Sequence, residues 1–217
     1  TTASPYVVNA VVSMKQAQRD ALTPVEGLFV YNTSTHKPNY YNGTEWMNYD
    51  GTSAKTPTIG MAYQGGIIFY ILQPDDPGYV DGETHGLITT LSDQSYTSGI
   101  IWHGDRIATG ANSTAIGSGN ANTNTIVAAI GAGSYAAKVC YDLVYGGYND
   151  WYLPSMNELT KLYENKSKLG GLSSYIYWSS SDDATNDRIA LRYNFLLGTA
   201  GGGYKWEYCG VRAIRAF

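Results

Sequence analysis

The chain has 217 residues, enough for one large domain or two small ones around a real core. Charged residues make up only 15% of it, the formal net charge is −4 and 43% is hydrophobic. These values exclude a nucleic-acid binder working through a broad basic face, and they exclude a disordered chain. The 20 Tyr and 25 Gly stand among many Ser, Thr and Asn. A polar but uncharged surface is expected, of the kind that adaptable binding faces use.

Residues 1–22 read as a lead-in. Ser13 is placed to cap a short helix to about Leu22, and Pro24 ends it. Gly27 to Asn32 reads as a strand. Two aromatic, alternating runs flank Asn42-Gly43, which is a hairpin signal. The stretch from Asp50 to Thr58 reads as a linker. Residues 1–58 thus form a small helix and β-hairpin unit, which is expected to need a neighbour or an oligomer for stability.

Residues 59–217 form the second part. Gly65 to Leu72 reads as a buried strand, Pro74 to Glu83 as an acidic loop, and Gly86 to Leu91 and Ile100 to Trp102 as further strands. Residues 109–125 carry almost no bulk and read as a long surface loop. Helical spacing follows over Ile126 to Ile130 and Ser134 to Tyr145. Ser155 with Glu158 three residues on is a capping box that opens another helix. Strands are expected over Tyr175 to Ser181, Arg188 to Phe195 and Tyr204 to Phe217, with exposed turns at 182–187 and 198–203. The longest apolar run, Ile67 to Leu72, falls far short of the about 20 residues of a membrane helix. No basic-then-apolar signal peptide is visible. Two cysteines, Cys140 and Cys209, fit either a disulfide or a pair of buried thiols.

Five blocks point to a family. They are Gly65-Gly66 with Phe69-Tyr70; His85-Gly86-Leu87-Ile88; Asp150-Trp151-Tyr152-Leu153-Pro154-Ser155 with Glu158-Leu159; Tyr177-Trp178-Ser179-Ser180-Ser181; and Val211-Arg212-Ala213-Ile214-Arg215. Over residues 59–217 the chain resembles the C-terminal domain of bacterial collagen-like adhesins, the Lcl C-terminal family. The resemblance implies an α+β, C-type-lectin-like domain with two helices on a twisted, mainly antiparallel sheet. It also implies a disulfide between Cys140 and Cys209, because lectin-like folds often tie the first helix to the last sheet. Through Gly27 to Asn32 and Tyr41 to Trp46, the first part resembles β modules of bacterial surface proteins and phage tail fibres.

Calcium-type lectins grip sugar through a Gln-Pro-Asp loop after the second helix, whereas Gln73-Pro74-Asp75 precedes both expected helices. Asp75, Asp76, Asp81 and Glu83 lack calcium-loop spacing and read as a solvated loop. His36, His85 and His103 form no helical metal pair, and His85 reads as a structural hydrogen bonder. No nucleophile elbow, Cys/His pair or phosphate loop is present. Formylglycine-generating enzymes share the broad fold and depend on cysteines, but Cys140 and Cys209 do not match their arrangement. No metal or cofactor is expected.

The remaining candidate is the aromatic and polar stretch from Tyr175 to Tyr208. Flat rings with short polar groups grip both sugars and protein epitopes. Strand alternation sends half of these residues inward. Asn186, Arg188, Tyr193, Asn194, Tyr204, Lys205 and Trp206 are the expected ligand contacts. The expectation is a non-catalytic binding module of the bacterial outer surface, homo-oligomeric, recognising a glycan or protein ligand. A structural or diversified receptor-binding tip, as on a tail fibre, is the first alternative, and an enzyme of the formylglycine-generating type is the second.

Overall fold

The computed structural model describes residues 11–95, 98–172 and 175–217, so the first ten residues of the expected lead-in lie outside the described residues. They divide into two units. One runs to Thr56 and includes Val80–Glu83; the other comprises Pro57–Tyr79 and Thr84–Phe217.

In the first unit, the expected Ser13-capped helix is replaced by strand β1, Val12–Met14. Its β-branched Val12 pairs in parallel register with Val30 of β2, Phe29–Asn32. Helix α1, Gln16–Asp20, starts only afterwards, where the Gln18 side chain accepts the Lys15 N–H at 2.9 Å. Strands β3, Lys37–Tyr41, and β4, Trp46–Asn48, form the expected hairpin. The Asn42 side chain closes its turn by accepting the N–H groups of Thr44 at 2.9 Å and Glu45 at 2.8 Å. The core is small: Val30, Trp46 and Ala54. Arg19 is buried beside it, donating to Asn39 Oδ1 and Ala54 O, each at 2.6 Å.

The second unit opens with β5, Ala62–Tyr63, β6, Gly66–Ile71, β7, Gly86–Thr89, and β8, Ile100–Ile101. Three α-helices follow: α2, Gly119–Ile130, α3, Ala136–Tyr141, and α4, Met156–Glu164. Then come β9, Ile176–Asp182, β10, Ile189–Asn194, β11, Thr199–Tyr204, β12, Tyr208–Cys209, and β13, Ile214–Ala216. The class is α+β. Antiparallel sheets run β13-β7-β6-β5, β11-β10-β9 and β12-β8.

Adjacent residues of the central strands point to opposite sides, so two cores lie against them. Ile68, Ile88 and Trp178 join Trp102, Ile126 and Trp151 in one cluster. Phe69, Leu87 and Tyr177 join Leu159, Leu162 and Phe195 in the other. The buried indoles are satisfied: Trp102 donates to Ser179 O at 2.9 Å, Trp178 to Ile100 O at 3.0 Å and Trp151 to Tyr145 O at 3.1 Å. Gly65 is held against Gly146, where a Cβ would stand 2.8 Å from the Gly146 carbonyl oxygen, so two glycines let the chains touch.

Three further expectations are corrected. Residues 119–125 are helical, not loop. The buried positions of α2 are Gly119, Asn122, Thr123 and Ile126, a helical stripe made largely of polar residues that apolar periodicity does not register. Asn122 donates to Ser113 O at 2.7 Å, and the Thr123 hydroxyl accepts the Leu153 N–H at 3.1 Å. Residues 199–203 form part of strand β11 rather than a turn. A Cβ on Gly203 would lie 2.4 Å from the Arg192 side chain, so glycine lets that side chain cross the neighbouring strand. Cys140 and Cys209 are both buried free thiols, not a disulfide. Apolar burial surrounds Cys140 and pushes its thiol well up. Cys209 Sγ instead takes a 3.6 Å contact from Arg192 Nη1.

Glu158 completes its capping box and ties two helix starts together. Its carboxyl accepts Ser155 N–H at 2.7 Å and Gly117 N–H at 2.9 Å. Burial nevertheless pushes its pKa up to about 7 from 4.5, against the pull of those donors. The folded protein therefore keeps a proton that the unfolded chain has released. The stability from this group is complete below pH 4.5 and is lost as pH rises through about 7. Denaturant titration from pH 5 to 7 should show this loss, no more than about 3 kcal/mol. Glu158→Gln should flatten it, and an unchanged slope would refute the assignment.

Candidate ligand-binding surface

The late strands build a rigid turn. The Glu207 N–H donates to Tyr204 O at 2.8 Å, and the Tyr204 N–H donates back to Glu207 Oε1 at 3.2 Å. The other oxygen of Glu207 pairs with Arg192, whose guanidinium lies over the Trp178 ring at 5.7 Å. The turn is thus anchored to a core tryptophan. It presents Tyr204 and Trp206 outward, 47% and 44% exposed. Their rings stack, with centroids 4.6 Å apart and planes 9° apart. Each ring restrains the other, so a flat aromatic surface is held out with little entropy left to lose on binding.

The residue between them points the other way. Lys205 is fully buried, and its Nζ lies 2.6 Å from Asp182 Oδ1, donates to Ile107 O at 2.6 Å and sits 4.6 Å from the Trp102 ring centroid. The contact with Oδ1 is an ion pair without hydrogen-bond alignment; Asp182 Oδ2 takes the Thr109 N–H and hydroxyl, each at 2.9 Å. Lys205 is therefore a core cation, and its expected ligand role is corrected. Tyr193 is corrected likewise. It is buried against Phe195 and Tyr163, with its hydroxyl on Gly198 O at 3.1 Å. Asn194 is half-buried and caps the turn to β11 by accepting the N–H groups of Leu196 and Leu197, each at 2.9 Å. Asn186 and Arg188 are exposed on the preceding turn, where Asn186 Oδ1 accepts the Arg188 N–H at 3.1 Å.

A cleft of about 660 Å³ was not foreseen. Ile100, Val139, Ser98, Ser134, Gln94 and Tyr208 are among its walls. Tyr208 is 67% exposed and opens β12 directly after the turn that carries Trp206. The cleft itself joins segments far apart in sequence and has no local signature.

Other polar clusters are structural. His85 Nδ1 lies 3.2 Å from Phe217 O, and Asp76 accepts the Tyr70 hydroxyl at 2.7 Å and the Gln73 N–H at 2.8 Å. Among the described residues no three His, Cys, Asp or Glu side chains converge as a metal site would need.

The motifs that carry the family resemblance do the same kind of work. Arg215 makes a two-pronged pair with Asp150, at 2.6 and 2.9 Å, donates to Gln64 at 2.9 Å and lies over Tyr148. Ser181 accepts the Met156 N–H at 3.1 Å and donates to Ser113 O at 2.8 Å. Residues 90–215, more than half of the chain, match the family model of the Lcl C-terminal domain. The chain belongs to the Lcl C-terminal domain family. Residues 11–60 match the phage tail like trimerisation region. A search of curated proteins finds no match. The two family matches indicate a surface or tail-fibre-like protein, and the second supports homo-oligomerisation. Among the described residues no helix is long and apolar enough to cross a membrane. In this Lcl C-terminal domain the residues that carry the resemblance hold the scaffold, and the exposed rings lie between those motifs in sequence.

Proposed function

We propose that the chain is a non-catalytic binding module of the bacterial surface or of a tail-like fibre. The first unit assembles copies as a trimer, and the Lcl C-terminal domain, with a C-type-lectin-like scaffold, grips a glycan or protein ligand. The stacked, outward Tyr204–Trp206 pair carries this reading, because an exposed aromatic pair fixed by a buried framework is a recognition anchor. Val12, Val25 and Phe29 on the first unit are exposed apolar side chains that assembly would cover. Three joined copies would multiply a weak grip by avidity. The full chain, probed against glycan and protein arrays, should retain a ligand and lose at least tenfold in affinity as Tyr204→Ala/Trp206→Ala. Silence on both arrays from folded protein, or equal binding by the variant, would overturn the reading. Its mass in solution should be three times 23.6 kDa.

A further inference from the structure

We propose that the chain cross-links itself: the side chains of Lys205 and Asp182 join as an intramolecular amide. Both are shut off from water, and Nζ lies 2.6 Å from Asp182 Oδ1. Close as it is, the contact lacks the alignment of a hydrogen bond, and among the described residues Asp182 Oδ1 is the buried side-chain atom left without one. A nitrogen held that close but off the hydrogen-bond axis stands beside the carboxyl group as a nucleophile rather than as a donor. The backbone fixes both partners. The Lys205 N–H donates to Arg188 O at 2.9 Å, and its carbonyl accepts the N–H groups of Trp102 at 2.9 Å and His103 at 3.0 Å. The Asp182 N–H donates to Ala111 O at 2.9 Å. Reacting groups already held in contact need no encounter.

The surroundings fit the step. Asp182 Oδ2 takes the Thr109 N–H and hydroxyl, each at 2.9 Å, so the oxygen that gains negative charge under attack already faces two donors. One proton passes from Lys205 Nζ to Asp182 Oδ1, leaving an amine and a carboxylic acid. The Nζ lone pair then forms a bond to Cγ, and the C=O π pair moves onto Oδ2. A second proton passes from nitrogen to Oδ1, the Cγ–Oδ1 bond breaks, and Oδ1 leaves as water while the Oδ2 carbonyl re-forms. The third hydrogen stays on the amide nitrogen, with Ile107 O, 2.6 Å from Nζ, to accept it. No oxidant or co-reactant enters, and two charges vanish from a site closed to solvent. Asp182 ends β9 and Lys205 follows β11, the strands on either side of β10. The bond braces that sheet and the turn that carries Tyr204 and Trp206, in a chain whose two cysteines stay free.

Mass spectrometry of the full chain, denatured after purification and again after prolonged incubation in the folded state, tests the proposal. The parent should be lighter than its sequence mass by one water, and a protease digest should contain a branched peptide joining the segments around residues 182 and 205. Asp182→Asn should form the same branched peptide with loss of ammonia in place of water, since the amide carries that leaving group. Thr109→Val, which keeps the N–H but not the hydroxyl, should slow bond formation about a hundredfold. Lys205→Arg should keep its full mass. A parent at full sequence mass after incubation would overturn the proposal. So would a deficit that maps to a cyclic imide at Asp50-Gly51 or Asp81-Gly82, or one that survives in Lys205→Arg.

Discussion

Lys205→Met should lower the free energy of unfolding by about 3–5 kcal/mol, the size expected when one partner of a buried ion pair is removed. Total stability of about 5–15 kcal/mol makes that a severe loss. Both side chains of the pair are shut off from water, with Nζ 2.6 Å from Asp182 Oδ1. Methionine fills the space of the stem but leaves Asp182 as an uncompensated charge. The Ile107 carbonyl also loses its donor. Lys205→Met/Asp182→Asn should recover part of the loss, because the amide keeps an acceptor for Thr109 without the charge. Urea unfolding of the two variants measures this. A single variant within about 1 kcal/mol of the parent would mean that the pair is solvated, contrary to its burial.

Arg212→Met should cost a similar amount, about 3–5 kcal/mol. Its guanidinium is buried and shared among four acceptors: Asp93 Oδ1 at 2.9 Å, Thr90 O at 2.7 Å, Gly170 O at 3.5 Å and Gly171 O. These come from the loop after β7 and from the loop after α4, so one planar cation joins both to the approach to β13. Arg212→Lys should restore only part of the stability, since an ammonium cannot reach acceptors spread around a plane. Full restoration by lysine would show that charge alone matters and that the fork geometry does not.

Much of the scaffold was legible because its signals are local. Asn42-Gly43 between aromatic runs specifies the hairpin, and Ser155 with Glu158 specifies the start of α4. The core strands at Gly66–Ile71 and Gly86–Thr89 are apolar on both sides because a cluster lies against each face. The first half of helix α2 was hidden because its inward stripe there is Asn122 and Thr123, whose burial depends on partners at Ser113 and Leu153. Strand β11 was hidden because glycine reads as turn, while Gly203 is there to clear Arg192. The exposed surface was half legible. Tyr204 and Trp206 face outward as expected, but Lys205 between them turns inward, and its positive charge masked that. The buried carboxylate that receives it lies 23 residues earlier, on β9.

Hydroxyl-radical footprinting of the full chain, with and without the ligand retained on the arrays, tests the central claim most directly. Four of the five tryptophans are buried, so Trp206 is the reporter. Ligand should protect Trp206, Tyr204 and Tyr208 and leave the first unit's exposed Tyr49 unchanged. Protection that bypasses the Tyr204–Tyr208 segment, or turnover of the ligand during the experiment, would contradict the account.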